Sequence, residues 1–267
     1  MHERISVNAL CFFGAPLAEV AEGWRKLQPR RVSFTSPVLG GDVAAARAVV
    51  EEGGYAVETI AHAFVEGHLD PNEASWAQPR ERLSRVIDAA ATLGARSIYV
   101  ITGGHGSLSW EEAAECFSRA IAPCVERAEA TGVALLTESA TSTNAHVHIA
   151  HSLRDATTLA ELAGIGVNID VFNCWAEGGL RETIERAMPR CRLVQVSDYV
   201  YGDPPARAVP GDGAVPLERI IGWTLEAGYE GAFDLELIGP RIEQEGRVAA
   251  ARRAAEHVGA LLESLGG

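Results

Sequence analysis

Short runs rich in Val, Ile, Leu and Phe alternate along the whole chain with longer stretches whose apolar residues recur every three or four positions. The short runs ISVNALCF (5–12), RRVSFTS (30–36), YAVETIAH (55–62), ARSIYVITG (95–103), GVALLTES (132–139), GIGVNIDVF (164–172), CRLVQVSDY (191–199) and GAFDLELIG (231–239) predict strands. The longer stretches predict helices over 17–27, 41–53, 75–94, 109–132, 152–164, 179–189, 215–228 and 243–266. Their borders are punctuated. Asp42, Ser109, Ser152 and Pro216 stand at or near helix starts, and Gly53, Gly94, Gly132, Gly164 and Gly228 follow helix ends, where a left-handed residue is commonly needed.

Strands of continuous apolar character, each joined to the next by a helix, imply parallel pairing with crossover connections. Eight such units close into a (β/α)₈ TIM barrel, which at 267 residues is expected to be one domain spanning 1–267. The competing architecture is an open doubly wound sheet, but no GxGxxG follows the first strand to mark a dinucleotide site. Neither an internal linker nor a repeat interrupts the alternation.

Composition narrows the function classes. Hydrophobic residues at 47% and charged residues at 22% describe a globular chain with a large core. A formal charge of -13 would repel phosphates over most of the surface, which argues against a nucleic-acid partner. The five cysteines are odd in number and form no CxxC pair, so a reducing, cytoplasmic setting is expected and a disulfide framework is not. No run reaches the roughly 18–20 apolar residues of a membrane span, and the N-terminal stretch, interrupted by Asn8 and Gly14, lacks the pattern of a signal peptide.

Four of the strand runs carry an oxygen-bearing side chain inside or at the downstream end: Glu138 on the fifth, Asp170 on the sixth, Gln195 on the seventh and Glu236 on the eighth. In a barrel the C-terminal ends of the strands ring one face, so these four converge although they lie far apart in sequence. Hard oxygen donors with open positions suit Mg²⁺, Mn²⁺ or Co²⁺ better than a closed structural zinc.

The segments TES (137–139), NID (168–170), QVSD (195–198), RAVPGDG (207–213) and DLELIG (234–239), in that order on successive strands, resemble the landmarks of the xylose isomerase-like sugar phosphate isomerase/epimerase superfamily of TIM barrels. That superfamily also contains ketose 3-epimerases, inosose and 3-dehydroshikimate dehydratases and endonuclease IV. The resemblance covers essentially the whole chain. It implies one divalent ion, Mn²⁺, Co²⁺ or Mg²⁺ with Zn²⁺ possible, held by Glu138, Asp170, Gln195 and Glu236, with Glu138 and Glu236 also removing and returning a proton next to a carbonyl. It further implies a homodimer or homotetramer, for which the C-terminal helix offers a docking surface. Arg207 corresponds to an arginine that holds substrate oxygens, a task suited to its planar fork of donors.

Two positions depart from the pattern. Gln195 replaces the usual histidine and can ligate only through its amide oxygen, as in some 3-dehydroshikimate dehydratases, and Asn173 stands where a histidine usually follows the aspartate by three residues. Asn173 can orient a hydroxyl but cannot shuttle a proton. His105, His62 and Trp175 complete the candidates for the pocket. His146, His148 and His151 invite a second-metal reading, but this acidic chain lacks the basic surface expected of a DNA enzyme, and a substrate-covering loop or a plain surface loop fits them better. The expected activity is a metal-dependent isomerisation or epimerisation of a sugar or related polyol acid. The alternatives are a lyase of the dehydroshikimate or inosose dehydratase type and a barrel that binds a small molecule without turnover.

Overall fold

The computed structural model describes residues 1–202 and 206–267. Eight parallel strands close into a barrel: β1 (Ile5–Asn8), β2 (Arg31–Thr35), β3 (Ala56–Ala63), β4 (Ser97–Ile101), β5 (Ala134–Thr137), β6 (Gly166–Asp170), β7 (Cys191–Val196) and β10 (Phe233–Leu235). β10 closes the ring between β7 and β1. After β7 the chain makes a short antiparallel pair, β8 (Asp198–Val200) with β9 (Ala206–Ala208). The helices are α1 (Leu17–Leu27), α2 (Ser36–Leu39), α3 (Val43–Gly53), α4 (Ala77–Leu93), α5 (Trp110–Thr131), α6 (Leu153–Ala163), α7 (Val171–Cys174), α8 (Leu180–Ala187), α9 (Leu217–Glu226), α10 (Pro240–Glu245) and α11 (Arg247–Leu265). None of them is long and apolar enough to cross a membrane.

The (β/α)₈ architecture is the predicted one, and the ends of two strands show why local boundaries differ. The first strand stops at Asn8 because its Oδ1 accepts the Leu10 N–H at 2.9 Å and turns the chain into a 3₁₀ helix, Ala9–Phe12. The sixth stops at Asp170 because its carboxylate accepts the Phe172 N–H at 3.0 Å and opens α7. Side-chain oxygens that compete with the sheet thus set where the strand ends lie. The expected caps Asp42, Ser109 and Ser152 each accept a backbone N–H, and Ser109 forms a full capping box with Glu112.

Between barrel and helices lies one large apolar core, where Trp24 is fully buried edge-on to Phe34 and Tyr55. Each such side chain contributes about 1.5–3 kcal/mol by burial. The barrel interior is divided. On one side Ala61, Tyr99, Leu136 and Leu193 pack together, and a side chain on Gly166 would meet the Arg190 carbonyl oxygen at 2.9 Å as well as Leu136 Cδ2 at 2.6 Å, so β6 needs glycine there. On the other side the interior is polar: Asp234 accepts from Asn8 Nδ2 and Ser33 Oγ, both at 2.7 Å, and burial raises its pKa.

The loop after β9 is organised by Asp198, which is 1% exposed. Its Oδ2 accepts the N–H groups of Gly211 and Gly213 at 2.9 Å, and its Oδ1 accepts those of Val215 at 3.0 Å and Tyr199 at 2.8 Å. Hydrogen bonds to a charged acceptor are each worth about 1.5–3 kcal/mol, so Asp198→Ala is expected to cost at least that much in urea unfolding. A loss below about 0.5 kcal/mol would show that this carboxylate does not hold the loop.

Candidate active site

The strand-end positions bring Glu138, Asp170, Gln195 and Glu236 together at the C-terminal end of the barrel. Glu138 and Glu236 follow the last residues of β5 and β10, Asp170 ends β6, and Gln195 lies in β7; all four are buried. Glu138 and Glu236 line a cavity of about 750 Å³, together with Arg207 and Asn173. The rest of its wall is largely apolar, including Tyr99, Ile101, Phe172 and Ile238.

Arg207, on β9, stands among the carboxylates. Its Nη2 donates to Asp170 Oδ2 at 2.8 Å and lies 2.9 Å from Glu236 Oε1, while Nη1 donates to Ser197 Oγ at 2.7 Å. The guanidinium also lies 4.2 Å from the Phe172 ring centre. Asn173 donates to Asp170 Oδ2 at 2.6 Å and to the Ser139 carbonyl at 2.8 Å. Gln195 Nε2 donates to Glu236 Oε2 at 2.6 Å and to Asp234 Oδ2 at 3.3 Å. Asn168 Nδ2 bridges Gln195 Oε1 at 2.5 Å and Glu138 Oε2 at 3.0 Å.

This cluster holds more acid than base. Glu138, Asp170, Asp234 and Glu236 face a single guanidinium, four potential negative charges against one positive. Burial, reinforced by Glu236 and Asp170, raises the pKa of Glu138 well above the usual carboxylate value. Burial also lifts Glu236 to about 7, even with Arg207 beside it. Burial disfavours the charge on Arg207, but Asp170 and Glu236 more than offset this and hold it protonated.

The other expected site residues are placed elsewhere. His62 lies off the cavity wall, its Nδ1 paired with Ser36 Oγ at 2.9 Å, and burial lowers its pKa to about 4. His105 is paired through Nδ1 with the Leu108 carbonyl at 3.0 Å, away from the cavity lining. Trp175 packs against Tyr199 and Tyr201, and only Tyr201 of these three lines the cavity. Of the histidine cluster, His148 lines it and His146 and His151 do not. Asn168 and Asp234 escaped the sequence reading. Each precedes a recognised carboxylate by two residues, and the two-residue period of a strand was the signal that points them into the barrel.

Among the described residues no three His, Cys, Asp or Glu side chains are grouped as a metal ion would require, and Arg207 stands between Asp170 and Glu236. The donor chemistry nonetheless fits a divalent cation. Three carboxylates and an amide are hard donors, and their excess negative charge is what such an ion would offset. Asn168 Oδ1 is also buried without a partner among the described residues. Gln195 presents Nε2 to Glu236 and Oε1 to Asn168, so ligation through its oxygen requires both amides to turn over, at the loss of the Asn168–Glu138 hydrogen bond.

The chain belongs to the xylose isomerase-like TIM barrel family, whose profile matches residues 18–261. Its fold is shared by the IolI protein solved with a zinc atom (14% identity, TM-score 0.83, 98% of this chain and 99% of that one). It is shared as well by an L-ribulose 3-epimerase (18% identity, TM-score 0.80, 98% and 95% covered). A D-allulose 3-epimerase from Methylomonas sp. is also similar (14% identity, TM-score 0.81, 98% of both chains). No curated protein matches the sequence.

The raised pKa of Glu138 has a direct consequence for stability. A carboxyl whose folded pKa exceeds its unfolded value favours folding at low pH, and that contribution is lost as pH rises from the unfolded value through the folded one. Glu138→Gln is therefore expected to stabilise chelator-treated protein at pH 8, with the gain fading towards pH 5. Each kcal/mol recovered should raise the thermal midpoint by roughly 2–4 °C. A destabilised variant at pH 8 would contradict the charge crowding.

Proposed function

We propose that this protein is a divalent-metal-dependent isomerase or epimerase that takes a proton from the carbon next to a carbonyl of a sugar or related polyol acid. The observation that carries the reading is the pair Glu138 and Glu236, two buried carboxyls from β5 and β10 sharing one cavity wall with Arg207. The family and the epimerases of like fold support it.

Glu138, Asp170, Glu236 and, through its amide oxygen, Gln195 would hold the ion. When bound, it would polarise the substrate carbonyl and stabilise negative charge on its oxygen. The chain's own groups supply the rest. Arg207 offers further N–H groups to substrate oxygens, and Ser197 and the Phe172 ring fix its plane. One carboxylate, Glu138 or Glu236, accepts the carbon-bound proton, and the other returns a proton to the resulting enediolate.

Gln195 favours the dehydratase reading on the same scaffold. Asn173, beside Asp170, has no proton to give a departing hydroxyl, which favours the isomerase. Incubation in D₂O separates the two. Wild-type protein is expected to exchange hydrogen for deuterium next to the carbonyl of a ketose such as L-ribulose or D-allulose, and Glu236→Gln should slow this about 10²–10⁴-fold. Water loss from 3-dehydroshikimate or an inosose without ketose exchange would establish the lyase. No reaction across the whole panel would leave a barrel that binds without turnover.

A further inference from the structure

Among the described residues three buried histidine Nε2 atoms, those of His62, His148 and His151, have no hydrogen-bond partner, and of these three rings that of His148 belongs to the cavity wall. His148 is fully buried on the loop between β5 and α6. Its Nδ1 accepts the Ala150 N–H at 3.1 Å. Thr102 Oγ1, 3.4 Å from the same nitrogen, accepts the Ile149 N–H at 3.1 Å and donates to the Gly103 carbonyl at 2.9 Å, so its hydrogen is spent elsewhere. An imidazole whose Nδ1 accepts a backbone N–H carries its single proton on Nε2.

The loop that carries the ring is held firmly. Gly103 N donates to the Val147 carbonyl at 2.9 Å, and His148 N to the Asn144 carbonyl at 3.0 Å. A side chain on Gly104 would meet the carbonyls of Ala145 and His146 at 2.6 and 2.7 Å, so the two loops pack backbone to backbone. The ring is fixed in place and tautomer, with one N–H left over. A buried donor without an acceptor is a cost the fold recovers only when something else supplies an oxygen.

We propose that His148 is a ligand-binding residue: its Nε2–H donates to a hydroxyl or carbonyl oxygen of a polyhydroxy substrate in the cavity, on the wall that also carries Glu138 and Asn144. The kind of ligand rests on the isomerase reading; the donor itself rests on the loop geometry. Burial lowers the pKa of this ring to about 3, so it is a neutral donor and takes no part in proton transfer. The site would thereby select an acceptor oxygen and reject an ammonium or other donor group at that point.

The test uses full-length protein loaded with Mn²⁺ and D-allulose as probe. Nitrogen-15 spectra of histidine-labelled protein are expected to show His148 protonated on Nε2 and that resonance moving when D-allulose binds; an Nδ1-protonated ring would overturn the proposal. His148→Asn places an amide oxygen where Nδ1 was, keeping the Ala150 anchor but losing the Nε2–H. It should remain folded and bind D-allulose about tenfold more weakly, the range of one neutral hydrogen bond. Unchanged affinity in His148→Asn would overturn the assignment even with deuterium exchange intact. Binding that moves the His148 resonance without exchange at carbon would sink the catalytic reading and leave His148 standing. A wild-type protein that binds no D-allulose would overturn the assignment for polyhydroxy ketones.

Discussion

Burying three carboxylates around a single guanidinium is the constraint on which the rest of this structure depends. Four neighbouring strands of the ring, β5, β6, β7 and β10, each deliver an oxygen-bearing side chain to one point, and Asp234 adds a fourth carboxylate beneath them. Water cannot screen these charges, so the excess must be met by raised pKa values, by N–H donors or by a cation. Several polar side chains nearby answer to it. Asn168 and Gln195 turn their amide N–H groups towards Glu138, Glu236 and Asp234, Asn173 caps Asp170, and Arg207 spans Asp170 and Glu236.

Structure farther out serves the same end. Asp198 gathers four backbone N–H groups and so holds the segment that follows β9, while Ser197 and Phe172 fix the guanidinium of Arg207 from two sides. The apolar half of the barrel interior, filled by Tyr99, Leu136 and Leu193, gives the charged half a dry wall. A site that concentrates like charge in this way is less stable than a neutral one would be, and that tension is what the proposed cation would relieve.

Much of this was legible in the residues. The alternation of apolar runs with amphipathic stretches is a local property, and it led directly to eight parallel strands; the placement of Glu138, Asp170, Gln195 and Glu236 followed from where those runs end. What depends on the side of a strand was read less well. His62 shares its strand with Ala61, but successive side chains point to opposite faces, and it is Ala61 that packs inside the barrel while His62 pairs with Ser36. The same alternation puts Asn168 and Asp234 inside, in step with Asp170 and Glu236. Loop geometry was beyond reach: nothing in TNAHVHIAH says that His148, and neither His146 nor His151, joins the cavity wall, because packing against Gly103 and Gly104 decides it.

The account turns on whether this cluster takes up a divalent cation in place of the contact between Arg207 and its carboxylates. Calorimetric titration of Mn²⁺ into chelator-treated protein puts the question most directly. One equivalent is expected to bind to the wild type and to bind at least tenfold more weakly after Asp170→Asn, which removes a donor and a charge together. No binding by a folded wild-type protein, or binding indifferent to Asp170, would contradict it.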